Sequence, residues 1–567
     1  MTKRDFIRTI DALPGKTAAA WVFEGPSARR GAQARARAEG RDLRLRSAYK
    51  TLLHEVLEQG LLDDAPRATI HYPVVEGCPE DRFRLECYPL HALASHCEIA
   101  FAPRPHEGGG LPAYEIETPE ARHVVPVPVR WVEIEDGSRA LAACGWVEDG
   151  QGGRHLPTEY EAIYEAVCKH LRAMPLDPLS PDEPDGPFFD RLEVIVELPY
   201  EDQVLPVGSE VISLAEAMHE EIYFTALEIF QERLGLAPGQ RSVKAGQVVP
   251  LVRRGDAPRL QIRTVQAEPA LDRDQPGRPA LDTATQWLYP AQISAHLAAI
   301  DGVSYAARSR QGRLVEGRHV TGRGAARLAI SAGQHANESS PMVGTLRAGR
   351  DLAAEGDVSF TLNPLENPDG YALFRELCAD NPRHMHHAAR YTASGADLSH
   401  GAGRYESAIR DLAHARLPAE VHVNLHGYPS HEWTRPLTGY IPRGFGQWTI
   451  PKGFFLILRH DAAQESLARA VLQAGLEALA AFPELAAQNR RMLDLYRRYV
   501  GAESFEVHGG CIPFTVSREA EALYPVTLIT EAADETIGGE DFRIAQEGQY
   551  RVVRAVAGML QRHAMVA

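Results

Sequence analysis

The chain has no run of about 18 or more apolar residues, so no membrane-spanning helix is expected. It also lacks an excess of positive charge. Its 60 Lys and Arg stand against 76 Asp and Glu, a formal net charge of −16, which argues against non-specific binding to nucleic acid. The seven cysteines are odd in number and include no C-x-x-C pair, so they read as reduced thiols rather than a disulfide framework. A Cys87–Cys97 bridge is not expected. No G-x-S-x-G elbow and no G-x-G-x-x-G loop occur, which leaves serine-hydrolase and dinucleotide-binding readings without support. The start, Met1-Thr2-Lys3-Arg4-Asp5-Phe6-Ile7-Arg8, is charged without an apolar stretch behind it, and a cytoplasmic location is expected.

What is present is the composition of an ordinary globular chain, 44% hydrophobic and 24% charged over 567 residues, long enough for roughly two to four domains. Prolines at 175, 178, 181, 184 and 187 recur every third residue, the period of a polyproline II spacer. The sequence is therefore divided into an N-terminal α+β domain (1–174), a proline-rich linker (175–189), a small α/β accessory domain (190–282) and a catalytic domain (283–567). In the first, Ser47–Leu62 and Glu159–Ala173 read as helices, and Ala68–Val75, Arg82–Tyr88, Val124–Ile134 and Leu141–Val147 as strands. The run from Arg29 to Arg46 reads as a solvated helix face, with an anionic partner surface as the alternative. In the accessory domain, Asp190–Pro199 reads as a strand and Leu214–Leu234 as a long amphipathic helix stopped by Gly235.

The chemistry concentrates further on. His335-Ala336-Asn337-Glu338 follows a short apolar strand ending in Gly333 and precedes Ser339-Ser340-Pro341, a helix start with proline in its first turn. An imidazole and a carboxylate three residues apart can converge on one cation, although the pattern alone is common. Glu420 to Tyr428 alternates strictly, placing His422, Asn424 and His426 on one strand face. It is either a ligand-bearing strand or a half-exposed one with incidental histidines. Tyr524 to Ala532 is another strand, carrying Glu531 near its end. The cluster His384-Met385-His386-His387 is a rival metal site. On a helix only His384 and His387 would share a face, so a helix surface near the cleft is the plainer reading.

The order His335/Glu338, Asn367-Pro368-Asp369-Gly370-Tyr371, His426 and Glu531 resembles the zinc carboxypeptidase family of metallopeptidases. Upstream, Tyr289-Pro290-Ala291-Gln292-Ile293 and Gly312 to Arg318 add to the likeness, which spans residues 283–567. It is nearest a bacterial subgroup carrying Q-H-A-N-E, H-A-A-R-Y and H-G-Y-P-S-H-E-W. The resemblance implies an α/β fold, with a carboxypeptidase-like mixed sheet flanked by helices and preceded by smaller α+β domains. It implies one Zn²⁺ per chain held by His335, Glu338 and His426. Glu531 would be the general base, Arg390 would polarise the scissile carbonyl, and Asp397 would hydrogen-bond a ligating imidazole.

Two positions depart from the family. Ser399-His400 stand where carboxypeptidases have the Asn-Arg pair that clamps the substrate's terminal carboxylate, with Arg404 nearby. Phe505 stands in place of the mobile tyrosine. Together with Tyr405, Trp433 and Arg435 these residues are the expected substrate pocket. The implied activity is hydrolysis of peptide or other amide bonds in small substrates. A deacylase of N-acyl amino acids and a catalytically silent zinc-binding protein are the alternatives. No nucleic-acid or membrane partner is expected, and the oligomeric state is left open.

Overall fold

Short Val-, Leu- and Ile-rich runs without interior proline build the centre of the C-terminal half. Within its large sheet the strands are β1 Val303–Arg308, β2 Leu314–Val320, β3 Arg327–Ala332, β4 Ser359–Asn363, β5 Val421–Tyr428, β6 Phe455–His460, β7 Glu506–His508, β8 Ile512–Arg518 and β9 Val526–Ala533. The computed structural model describes residues 2–566 except 135–136, 151, 238, 241, 268–276, 402, 443–445, 502, 521 and 536–537. The strand order is β1-β2-β4-β3-β5-β9-β6-β8-β7. The central four, β4, β3, β5 and β9, pair in parallel, and antiparallel partners flank them. Parallel strands are buried on both faces, and all eight residues of β5 are buried, His422, Asn424 and His426 included. The polar face of β5 therefore meets the protein interior, which answers the half-exposed alternative.

Among the helices, α1 is Leu214–Arg233, α2 Ser340–Glu355, α3 Pro368–Asp380, α4 Ala408–Arg416, α5 Glu465–Ala480 and α6 Gly539–Val566. Helix α6 packs against α2 and α5, while α4 lies on β1, β2 and β4. The fold is thus mixed α/β with a large C-terminal sheet, as expected. Among the described residues no single helix is long and apolar enough to cross a membrane.

The smaller sheets surround this body. One runs Thr2–Asp5, Arg259–Val265, Arg191–Leu198, Gln247–Arg254, with α1 packed on its last strand. Residues 2–5 thereby join a sheet otherwise built from residues 191–265, across the expected boundary at 174. Two four-stranded sheets and a hairpin fill residues 19–155, and the helix Glu159–Ala173 appears as expected. A continuous apolar core reaches from Trp21 through Val194 and Ile330 to Leu560. Buried ion pairs join these parts as well: Lys50 meets Glu432 across the boundary at 174, and His431 Nε2 lies 2.8 Å from Glu216 of α1. None of the seven cysteines is in a disulfide.

Several local expectations are corrected. Arg82–Glu86 is a helical turn rather than a strand, fixed by an i,i+4 pair in which Arg82 Nη1 is 2.6 Å from Glu86. Val124–Ile134 divides into two strands, Arg122–Pro126 and Val129–Glu133. Arg29 is buried and paired with Glu58 at 2.6 Å, although most of its arginine neighbours are exposed. The proline-rich segment folds back, with Leu179 N–H donating to Pro187 O at 2.8 Å, where polyproline II would have no internal bond. Helix α1 is not amphipathic, because Glu216, Glu220 and Glu221 are buried along with its apolar residues. His384 to His387 do not lie on a helix surface. His386 has φ of 52°, a left-handed residue that sets His384 apart from the short 3₁₀ turn starting at His387, and all three histidines are buried.

Candidate active site

Strand β3 ends at Ala332, and the chain must turn sharply to start α2. Gly333 makes that turn at φ 68°, where an added Cβ would also press on Leu365 at 3.0 Å. The turn presents His335 and Glu338 at the C-terminal edge of the parallel strands, where open α/β sheets bind ligands. From neighbouring β5, His426 points to the same place. His335 Nδ1 lies 2.7 Å from Glu338 Oε1, His426 Nδ1 lies 2.8 Å from Glu338 Oε2, and the two ring nitrogens are 3.1 Å apart. Gly427 follows His426 of necessity. Its N–H donates to Glu338 Oε2, and a Cβ there would fall 1.9 Å from Asp534 Oδ1.

These three buried donors fit a zinc ion. Zn–N and Zn–O bonds of about 2.0–2.2 Å in a tetrahedron separate ligand atoms by roughly 3.3 Å, and the three ligand atoms lie within 4.8 Å of one another. Both imidazoles present Nδ1 to a shared carboxylate, the chemistry of a two-His, one-carboxylate centre. Burial works to raise the Glu338 pKa, yet the two imidazoles hold it far below the usual carboxylate range. Behind His335, Asp397 Oδ2 is 3.4 Å from Nε2. Its other oxygen accepts from Gln334 Nε2 and from the N–H and Oγ of Ser399. Such a carboxylate fixes the ring's tautomer and orientation.

The triad opens on a cavity of about 550 Å³. Glu531 faces it from β9, with its pKa pushed well above normal by burial and by the Glu338 charge, against the pull of Arg390 and Lys452. Arg390 enters from the other side, its Nη1 3.7 Å from Glu338 Oε1 and 4.0 Å from Glu535 Oε1. The structure therefore gathers His335, Glu338, His426, Asp397, Arg390 and Glu531 around one space.

The weaker pocket expectations separate. Ser399 and Trp433 line the cavity. His400 is exposed, and Arg404 is 69% exposed and turned toward Glu183 at 4.0 Å. Phe505 packs on Tyr496, with ring centres 5.5 Å apart, away from the cavity lining. Tyr405 is exposed beneath the Arg310 guanidinium. Arg435 is committed to Glu228 and Thr225.

Sequence reading missed four groups. Arg410 of α4 lines the cavity, fixed by Glu366 Oε2 at 2.6 Å and by Gln334 Oε1 at 2.7 Å. Glu535 is fully buried, and neither carboxylate oxygen has a hydrogen bond among the described residues. Lys452 sits over the rings of Phe455, Trp448 and Tyr428 at 4.3, 4.7 and 5.0 Å, its pKa pushed down to about 7 by burial against the pull of Glu531. Phe224 reaches the cavity from α1, stacked on Trp433 at 5.3 Å. No local motif marks any of them, since each is brought in by tertiary packing.

No protein-family profile matches the sequence, and no curated protein matches it. Among solved structures, the chain is similar to a metallo-carboxypeptidase from Burkholderia cenocepacia at 15% identity and TM-score 0.30, covering 55% of this chain and 76% of that one. A metallo-carboxypeptidase from Pseudomonas aeruginosa, solved with (2-guanidinoethylmercapto)succinic acid, is 15% identical at TM-score 0.29, covering 54% and 76%. Carboxypeptidase A from Helicoverpa armigera is 11% identical at TM-score 0.28, covering 55% and 90%. At such scores the site's chemistry stands on the convergence of His335, Glu338 and His426 itself.

Proposed function

We propose that the protein is a zinc-dependent hydrolase of amide bonds in small substrates, peptides among them. The observation that carries this reading is the closure of two imidazole Nδ1 atoms on one carboxylate, at a strand edge that opens into the cavity holding Glu531 and Arg390. Zn²⁺ bound by His335, Glu338 and His426 would supply Lewis acidity and lower the pKa of a water to about 7.

The remaining work belongs to the chain. Asp397 keeps the His335 ring oriented through Nε2. Glu531, on a strand locked between β5 and β6, accepts the proton of the attacking water and returns it to the leaving nitrogen. Arg390 donates to the carbonyl oxygen as negative charge develops there. Removing the water around these groups strengthens each interaction.

A deacylase of N-acyl amino acids is the second reading, favoured by the outward turn of Arg404 and His400, which leaves neither beside the metal triad. The test is turnover of N-acyl dipeptides and N-acyl amino acids by zinc-loaded protein, with Glu531→Gln as control. Hydrolysis abolished in the control supports a hydrolase, and the better substrate class chooses between the two. Stoichiometric zinc without turnover of any panel member would leave only a binding protein.

A further inference from the structure

Helix α1 places a carboxylate against a histidine of the cavity wall. Glu220, fully buried, has its Oε2 2.7 Å from His387 Nδ1, and the His387 backbone N–H reaches its other oxygen at 3.4 Å. Burial works to raise the Glu220 pKa, but His387 and then His219 draw it below the usual range, so Glu220 meets His387 as a carboxylate. His387 lines the same cavity as the metal triad. With Nδ1 engaged, Nε2 is the nitrogen left for that space; it is not among the buried atoms lacking a partner. The ring is held by Trp433 at 4.8 Å and Phe224 at 5.2 Å between ring centres.

His387 and Arg390 also share a short 3₁₀ turn, His387–Ala389 with Arg390 as its cap. Residues three apart eclipse in a 3₁₀ helix, so both side chains leave the turn on the same side, and both line the cavity. Arg390 faces Glu338 and Glu535, and His387 faces Glu220.

We infer that His387 is a further catalytic residue of this site, its Nε2 hydrogen-bonding the reacting group of the substrate beside Arg390, with Glu220 of the accessory helix as its positioning residue. This rests on the hydrolase reading. It also gives residues 190–282 a place in the chemistry, since α1 brings both the carboxylate behind His387 and the Phe224 wall. A side chain that hydrogen-bonds the reacting group contributes about 10²–10³ in turnover. The helix-borne Glu220 sets the imidazole's ring orientation, as carboxylates do for histidines in other catalytic pairs.

The experiment uses full-length, zinc-loaded protein with His387→Gln and Glu220→Gln. It reads kcat and KM on the best N-acyl dipeptide, and the affinity for a phosphonate analogue of N-acylated dialanine as a tetrahedral anion. The expected result for His387→Gln is a loss of about 10² in kcat with KM within about threefold, and a phosphonate affinity weaker by a similar factor. Glu220→Gln, which keeps the volume and one acceptor, should fall between that variant and wild type on both readouts. If His387→Gln does not fold, Glu220→Gln carries the test alone. Wild-type kcat and phosphonate affinity in the folded variants would overturn the inference, and the hydrolase reading would survive if Glu531→Gln still abolished turnover. If wild type cleaves nothing but phosphonate affinity still drops in His387→Gln, the hydrolase reading and the catalytic role fall together, and His387 is left as a ligand-binding residue.

Discussion

Glu531 stands directly opposite His426 in the parallel ladder of β5 and β9. One register thus fixes a ring of the candidate metal triad and the carboxylate beside it, with no loop between them to flex. Displacing β9 by one residue would turn Glu531 to the other face of the sheet.

Glu531→Gln should therefore leave the metal centre intact, because no ligand moves. Zinc content should stay at one per chain, while kcat on the preferred amide falls by about 10² or more, in line with general-base contributions of about 10²–10⁴. Steady-state kinetics beside metal analysis checks this. Turnover near wild type would place the base elsewhere, with Glu535 next in line.

The triad itself is open to a direct measurement. His335→Ala removes one of three donors and leaves Glu338 with a single imidazole. Dialysed protein should then hold well under one zinc per chain by elemental analysis, and added zinc should raise the melting temperature of wild type but not of the variant. Full retention of zinc in the variant would mean that the ion sits elsewhere.

Specificity turns on which arginine the substrate meets. Arg404 faces Glu183, whereas Arg410 is in the cavity with its charge already balanced by Glu366. Matched substrates ending in carboxylate and carboxamide should consequently differ by less than about tenfold in kcat/KM, since a neutralised guanidinium adds little net attraction for an anion. A preference above about 10³ for the acid, lost in Arg410→Met with Glu366→Gln, would instead make Arg410 a carboxylate clamp.

The contact between α1 and the body carries a pH signature. Burial opposes charge on His431, but Glu216, with Glu210 and Glu220 behind it, lifts its pKa from 6.5 to about 9. A folded-state pKa above the unfolded one gives stability that is full below pH 6.5 and is lost as pH rises through 9. At about 1.4 kcal/mol per unit the contribution is roughly 3 kcal/mol. Urea unfolding of wild type and His431→Gln from pH 6 to 10 should show the difference between them shrinking with alkalinity. Lys452, whose folded pKa is depressed, titrates with the opposite sign in both proteins and so cancels from that difference. A difference independent of pH would show that the pair is not charged.

The convergence of His335, Glu338 and His426 was legible because each sits where periodicity breaks: His335 and Glu338 at a strand-to-helix turn, and His426 before the glycine that the Asp534 carboxylate demands. The helices Glu159–Ala173 and Leu214–Arg233 were legible for a similar reason, since Thr158 and Ser213 cap them and Gly235 follows the second. The Arg82–Glu86 turn was not, because its apolar alternation suits a strand and only the Arg82–Glu86 pair selects the helix. Nor were Arg410, Lys452 or the Glu220–His387 pair. Each joins residues from distant parts of the chain, and a buried carboxylate on α1 reads like a solvated one until its partner is known.

The strand Thr2–Asp5 covers the edge of Arg259–Val265, the outer strand of the sheet on which α1 rests. Removing residues 1–189 would uncover that edge as a row of unpaired N–H and C=O groups, a template on which a second chain can add. A C-terminal fragment made to isolate the candidate zinc site should accordingly self-associate through this strand. The opening residues of the chain thus cover an edge that such a fragment would leave bare.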